Sequence, residues 1–212
     1  MLDRQATALI KPLVLILARL LVRAGCRADQ ITLAAFVLGI AGAVLIALGQ
    51  YLTALVLILL SRLGDALDGA VARETRPTDR GGFLDIALDF LFYASVPLAF
   101  ALADPANNAL AAAALLAAFI GTGSSFLAFA IVAAKRGMSS ADYPNKSFFF
   151  LGGLTEATET LAFFAAMCLW PQYFAPLAWV FAGLCLITIV MRLSWGWKAF
   201  KDDPDKPASG PN

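Results

Sequence analysis

The chain has 212 residues, of which 60% are hydrophobic and 15% charged, with a formal net charge of +1 and a mean hydropathy of +0.77. That composition excludes an ordinary water-soluble domain. The near-zero charge gives no sign of a nucleic-acid partner. Histidine is absent, so any general base must be a carboxylate, lysine, tyrosine or thiolate. Cys26, Cys168 and Cys185 are odd in number and lack metal-type spacing, and they read as small hydrophobes.

Residues 4–24 mix apolar residues with Arg4, Lys11, Arg19 and Arg23. The apolar runs between these charges are too short to span, and no small-residue cleavage pattern follows. The segment reads as an amphipathic helix lying in the cytoplasmic interface. Uncharged runs then recur at 31–49, 105–134 and 174–191. Each is long enough to cross about 30 Å of hydrocarbon. Segments 51–73, 82–103 and 147–170 also span if their interior charges face protein. The expected architecture is all-α: six transmembrane helices after one interfacial helix, in a single domain 1–212 with a polar tail 201–212. No strand alternation or long repeat competes with this reading.

The connections near residues 49–50, 103–108 and 171–176 contain no Lys or Arg. The opposite side holds the N-terminal cations, Arg73, Arg76 and Arg80, Lys135, Arg136 and Lys146, and Lys198, Lys201 and Lys206. The positive-inside rule puts both termini in the cytoplasm. The cations form a one-sided belt suited to anionic lipid headgroups, and only Arg62 and Arg192 lie well within spans.

Within this apolar background Asp65 and Asp68 lie three residues apart, and Asp85 and Asp89 four apart. Each pair therefore shares one face of its helix. Pro77, Thr78 and Asp79 make the turn between them, which predicts an antiparallel hairpin with facing carboxylates in the cytoplasmic half of the bilayer. An acid in hydrocarbon costs roughly 2.5–3.5 kcal/mol at a helix centre, and four together repel. Divalent ions remove both conflicts, and hard oxygen ligands favour Mg²⁺ or Mn²⁺ shared with substrate phosphates. Two such ions can clamp a phosphoryl group for in-line attack. Gly69 and Ala72 leave room beside the backbone, and Arg73 offers a planar fork for a diphosphate. The competing reading, a structural polar network at a helix interface, explains isolated polar residues better than this set.

The run Asp-x2-Asp-Gly-x2-Ala-Arg-x7-Gly-x3-Asp-x3-Asp resembles the signature of the CDP-alcohol phosphatidyltransferase family. Asp65, Asp68, Gly69, Ala72, Arg73, Gly81, Asp85 and Asp89 fill its fixed positions, and the likeness covers about residues 1–200 of the chain, most resembling bacterial inner-membrane members. The resemblance implies transfer of a substituted phosphoryl group from a CDP-alcohol to an acceptor hydroxyl, with release of CMP. It implies two metal ions on Asp65, Asp68, Asp85 and Asp89, with Asp89 also deprotonating the acceptor. Thr32, Asp68, Gly69, Ala72, Arg73, Thr78 and Gly81 would then contact the CDP portion. Family members often carry Pro-Asn-x2-Thr before the first span; here Thr32 matches, but Ala28 and Asp29 replace the Pro and Asn. The resemblance also implies a homodimer and a site open to the cytoplasm.

Three polar groups interrupt later helices: Thr122, Ser124 and Ser125; Thr155, Glu156, Thr158 and Glu159; and Arg192. Counted from the cytoplasmic ends, they match the depth of the aspartates. Ser124, Ser125, Lys135, Glu156, Glu159 and Arg192 are therefore candidates for an acceptor pocket in the same cavity. Two glutamates disfavour a phosphorylated acceptor unless Arg192, Lys135 and Lys146 outweigh them. The structural alternative pairs both glutamates with Arg192 or Arg62.

The favoured substrate pair is CDP-diacylglycerol with glycerol, glycerol phosphate or a similar polyol, in phospholipid biosynthesis. Two other readings stay open. A divalent-cation transporter would use acids on paired helices, although it has little use for Arg73. A CDP-aminoalcohol phosphotransferase would use diacylglycerol as acceptor.

Overall fold

The computed structural model describes residues 2–137 and 155–201, with side chains from residue 10 onward. Lys146, Lys206, the start of segment 147–170 and the tail beyond residue 201 lie outside the described residues. In order come α1 (Leu2–Arg23), α2 (Ala28–Ala47), α3 (Tyr51–Glu74), α4 (Asp79–Ala103), α5 (Pro105–Lys135) and α6 (Ala157–Leu169). A 3₁₀ turn, Pro171–Tyr173, leads into α7 (Phe174–Ala199). No strand occurs among the described residues.

Among the described residues four helices, α2, α4, α5 and α7 with its preceding turn, are long and apolar enough to cross a membrane. Large apolar side chains also face outward along them, such as Val37, Leu98, Ile120 and Leu186. A water-soluble protein rarely shows so much exposed apolar surface. The chain is a membrane protein built of helices. Trp170 and Tyr173 are exposed at one end of the bundle, where amphipathic rings suit a membrane interface.

Helix ends follow local chemistry. Gly25 (φ 78°) and Gly49 (φ 75°) close α1 and α2 in the left-handed conformation. At both ends the two backbone hydrogen bonds of a Schellman cap are present: Gly25 to Val22 with Cys26 to Leu21, and Gly49 to Ile46 with Gln50 to Leu45. Gln30 reaches back to accept from the Arg27 N–H at 3.0 Å, which starts α2. Thr78 caps α4 by accepting from the Gly81 N–H at 3.1 Å.

α2 is the organising helix. It packs closely on both α3 and α4, while the backbones of α3 and α4 stay apart from each other. The expected α3–α4 hairpin thus exists in direction but not in direct packing; a wedge of α2 stands between, and long side chains bridge the remaining gap. Small residues make the wedge possible. A Cβ on Gly39 would lie 2.6 Å from Phe92 and 2.8 Å from the Ser61 hydroxyl, and one on Gly64 would lie 2.8 Å from the Ala35 methyl. Beyond the wedge, an aromatic core ties α4 to α6 and α7. Phe100 stacks on Phe174 at 4.4 Å and Phe163 on Phe181 at 4.4 Å, with Phe92 edge-on to Phe164 at 6.3 Å.

α1 lies against the C-terminal part of α3, where Val14 and Ala18 bury against Ala70 and Val71. Leu13, Ile16 and Leu20, turned away from α3, are exposed. Arg19 reaches Glu74 at 3.4 Å. Two apolar faces, one on protein and one outward, with Lys11, Arg19 and Arg23 exposed, fit a helix lying at a membrane surface.

Candidate active site

Going down the chain on α3 meets residues going up on α4: Arg62 pairs with Asp89, and Asp65 and Asp68 converge with Asp85. The two helices are therefore antiparallel where the acids meet. One carboxylate oxygen from each of Asp65, Asp68 and Asp85 lies within 4.8 Å of the others. Asp68 is buried, at 5% exposure, and its Oδ2 has no hydrogen-bond partner. A desolvated, unpartnered carboxylate oxygen on a residue that converges with two further carboxylates is costly by itself. Hard oxygen donors so arranged fit a divalent cation. A narrow cleft beside them is lined by Thr32, Ala35, Phe36, Arg62, Asp65, Asp85, Leu88 and Asp89, and its space of about 10 Å³ is the size of one water.

Asp89 is not among the three within 4.8 Å but lines the same cleft as Asp65 and Asp85. Its Oδ1 accepts from Arg62 Nη1 at 2.6 Å, and the same nitrogen lies 3.6 Å from Asp65. Arg62 also donates to the Ser61 hydroxyl at 3.2 Å and lies 4.1 Å from the centre of the Phe92 ring. Thr32, on α2, is buried beside Asp68, and its hydroxyl donates to the Ala28 carbonyl at 3.1 Å.

The small residues of the motif have a visible use. The exposed Arg73 folds back over Gly69: a Cβ at position 69 would sit 3.4 Å from Arg73 Nη1. The space beside Gly69 is thus occupied by the guanidinium one turn on, rather than left open. Ala72 is half-buried beside it. Gly81 sits where a Cβ would meet the Thr78 hydroxyl at 3.1 Å and Asp29 at 3.2 Å. Thr78 is exposed, and its hydroxyl accepts from the start of α4.

The later polar residues form a second group. Arg192 donates to the Thr122 carbonyl at 2.7 Å and lies 3.5 Å from the Ser125 hydroxyl. Ser125 donates to the Thr122 carbonyl at 3.0 Å, and the exposed Ser124 donates to the Gly121 carbonyl at 3.3 Å. Glu156 is the N-cap of α6, and Glu159 accepts from its N–H at 3.2 Å. Among the described residues, this pair starts a helix rather than interrupting one. Lys135 is exposed in the last turn of α5. None of these six candidates lines the narrow cleft between the acids. Arg62 pairs with Asp89 and Asp65, not with the glutamates.

Sequence reasoning assigned Arg62 no part in the site, although it lies three residues before Asp65 on the same face. It also missed the ion pair of Arg80 with Asp29, which joins the starts of α4 and α2.

Residues 26–195 match the CDP-alcohol phosphatidyltransferase family. The chain is 53% identical over 201 residues to the inner membrane protein YnjF of Escherichia coli strain K12, covering 95% of this chain and 98% of that protein. Among solved structures it resembles the phosphatidylinositol phosphate synthase of Mycobacterium tuberculosis with CDP-DAG bound. There the TM-score is 0.64 at 23% identity, covering 90% of this chain and 98% of the other. The same synthase in complex with manganese and citrate gives a TM-score of 0.65 at 23% identity, covering 92% and 96%. The chain belongs to the CDP-alcohol phosphatidyltransferase family, a family of transferases of phospholipid biosynthesis.

Proposed function

We propose that this protein transfers the phosphatidyl group of CDP-diacylglycerol to a hydroxyl acceptor, glycerol, glycerol phosphate or a similar polyol, and releases CMP. The observation that carries this reading is the convergence of Asp65, Asp68 and Asp85, with a buried and unpartnered Asp68 oxygen, in a chain of this family. The CDP-DAG held by the M. tuberculosis synthase supports the donor, and the manganese in its second structure supports the metal.

Asp65, Asp68, Asp85 and Asp89 would hold two Mg²⁺ or Mn²⁺ ions. When bound, such ions neutralise a diphosphate and favour in-line displacement at its phosphorus. Asp89 takes the proton from the acceptor hydroxyl. Arg62 engages only its Oδ1, and a carboxylate has a second oxygen that can accept. The acceptor oxygen bonds to the lipid-bearing phosphorus while the bond to CMP breaks. Arg73 offers its fork to the diphosphate and to the departing CMP. Thr32, Asp68, Gly69, Ala72, Thr78 and Gly81 form the wall of the CDP subsite. Ser124, Ser125, Lys135, Glu156, Glu159 and Arg192 face the acceptor.

We place this machinery in one domain, 1–212, with six spans, both termini and the site on the cytoplasmic side of a bacterial inner membrane, in a homodimer. The one-sided Lys and Arg distribution supports the orientation. The name of the E. coli relative supports the compartment.

The test is incubation of purified protein in detergent with Mg²⁺ or Mn²⁺, CDP-diacylglycerol and a pool of alcohols. Mass spectrometry reads lipid products, and CMP is quantified in parallel. The expected result is metal-dependent CMP release matched by one new phospholipid. CMP release only from a CDP-aminoalcohol with diacylglycerol would reverse donor and acceptor. Metal flux into proteoliposomes without CMP chemistry would replace the reading with transport.

A further inference from the structure

Three of the four acids converge, and Arg62 accounts for the fourth. Asp65, Asp68 and Asp85 bring oxygens within 4.8 Å of one another. Asp89 joins them through Arg62, whose Nη1 lies 2.6 Å from Asp89 and 3.6 Å from Asp65. The guanidinium is tightly seated. Phe92 lies beneath it at 4.1 Å and Tyr93 beside it at 5.6 Å. The Ser61 hydroxyl accepts from Nη2 at 3.2 Å, and the side chain is only 12% exposed. Ser61 and Phe92 are themselves fully buried and are held by α2, where Gly39 admits both. The packing of three helices thus fixes one cation at the edge of the acid cluster.

We propose that Arg62 is a positioning residue, a built-in cation that ties Asp89 to Asp65 through one nitrogen and competes with divalent ions for the charge of the cluster. The proposal rests on the reading of those three acids as cation ligands. Like charges a few ångströms apart repel, strongly so away from water. A divalent ion entering the cluster therefore meets a fixed positive charge that shares Asp65 with it. The chain's metal-free state is stabilised by the same residue that weakens metal binding. Any group that draws on Asp89 must share or displace the Arg62 contact. Two helices bridged by a merely structural pair behave oppositely: breaking the pair loosens the cluster and weakens binding.

The sign of the effect is the test. Full-length protein in detergent, without substrate, is titrated with Mn²⁺ and followed by electron paramagnetic resonance. Arg62→Gln is expected to bind the first Mn²⁺ about tenfold more tightly than the natural chain, since a nearby positive charge is gone. Arg62→Lys, which keeps the charge, is expected to stay within about threefold. Equal or weaker binding by Arg62→Gln, in protein that keeps its thermal transition, overturns the proposal. Should that variant fail to fold, Phe92→Leu replaces it. That change removes the ring beneath the guanidinium and is expected to tighten binding in the same direction by a smaller factor; unchanged or weaker binding overturns the proposal equally. If the natural chain binds no Mn²⁺, the metal reading itself falls. If it binds and Arg62→Gln binds no more tightly, the metal reading stands and only the role of Arg62 falls.

Discussion

The acid cluster of α3 and α4 and the polar group around Arg192 are both polar islands in apolar helices, yet they differ in how their charge is balanced. Around Arg192 most of the polar groups are matched locally, mainly by backbone. Thr122, Ser124 and Ser125 donate to carbonyls three residues back, Thr188 to one four back, and Arg192 to the Thr122 carbonyl. Glu159 is matched to the N–H of Glu156, and the Thr155 and Thr188 hydroxyls meet at 3.1 Å. Such bonds are the usual way hydroxyls and arginines are accommodated away from water. In the acid cluster the balance fails. Three carboxylates converge beside a single arginine, and Asp68 Oδ2 is buried with no partner. Polarity that is satisfied locally can be structural. Converging carboxylates with one arginine between them mark a place that a cationic ligand completes.

The comparison breaks most directly at Asp68. Asp68→Ala is expected to abolish CMP release, a loss of at least about 10⁴-fold, because metal-borne charge stabilisation is worth several kcal/mol. It should also lower Mn²⁺ affinity while leaving membrane insertion intact. Substantial turnover at saturating Mg²⁺ would show that the unpartnered oxygen is only a packing defect.

Asp89→Asn is expected to come next. Asparagine can still accept from Arg62 but cannot take a proton, so kcat should fall by about 10²- to 10⁴-fold. The KM for CDP-diacylglycerol should change far less. Collapse of donor affinity with kcat preserved would make Asp89 a ligand only and move the base elsewhere.

Arg73→Lys tests whether the exposed end of the motif belongs to the site. Lysine keeps the charge but not the fork, so KM for the donor is expected to rise by about tenfold. Gly69 gives this test an internal partner. The guanidinium lies over position 69, so Gly69→Val should displace it and raise the same KM. An unchanged KM in both variants would reduce Arg73 to a topological cation.

Much of the architecture was legible because it depends on composition and short-range spacing. The uncharged runs at 31–49, 105–134 and 174–191 correspond to α2, α5 and α7, and the interfacial segment 4–24 to α1. The meeting of Asp65, Asp68 and Asp85 was readable for the same reason, since spacings of three and four project side chains from one face. What stayed hidden depends on contacts between distant residues. Arg62 reads as a stray cation until α4 brings Asp89 to it from 27 positions away. The wedge of α2 between α3 and α4 rests on Gly39 meeting Phe92, a close approach that no periodicity announces. Glu156 and Glu159 read as a break in an apolar run, although a Glu three residues after an N-cap is a start signal in its own right.

That start signal sharpens the smallest effect. The Glu156→Gln, Glu159→Gln double variant removes two negative charges but keeps a side-chain carbonyl at position 159, which can still accept from the N–H at 156. α6 should therefore begin where it does now, and thermal stability should change little. Any kinetic change then reports charge rather than helix integrity. If the pair faces the acceptor, KM for an anionic acceptor should fall, by about threefold, because two like charges leave its path. If the pair hydrogen-bonds a neutral polyol, KM for that acceptor should rise instead, with the donor KM unchanged in both cases. Measuring KM for glycerol and for glycerol phosphate on the same preparation separates these outcomes. Natural kinetics for every acceptor would assign Glu156 and Glu159 to the locally satisfied polarity that surrounds Arg192, and the acceptor site would have to be sought nearer the cleft lined by Thr32, Phe36 and Leu88.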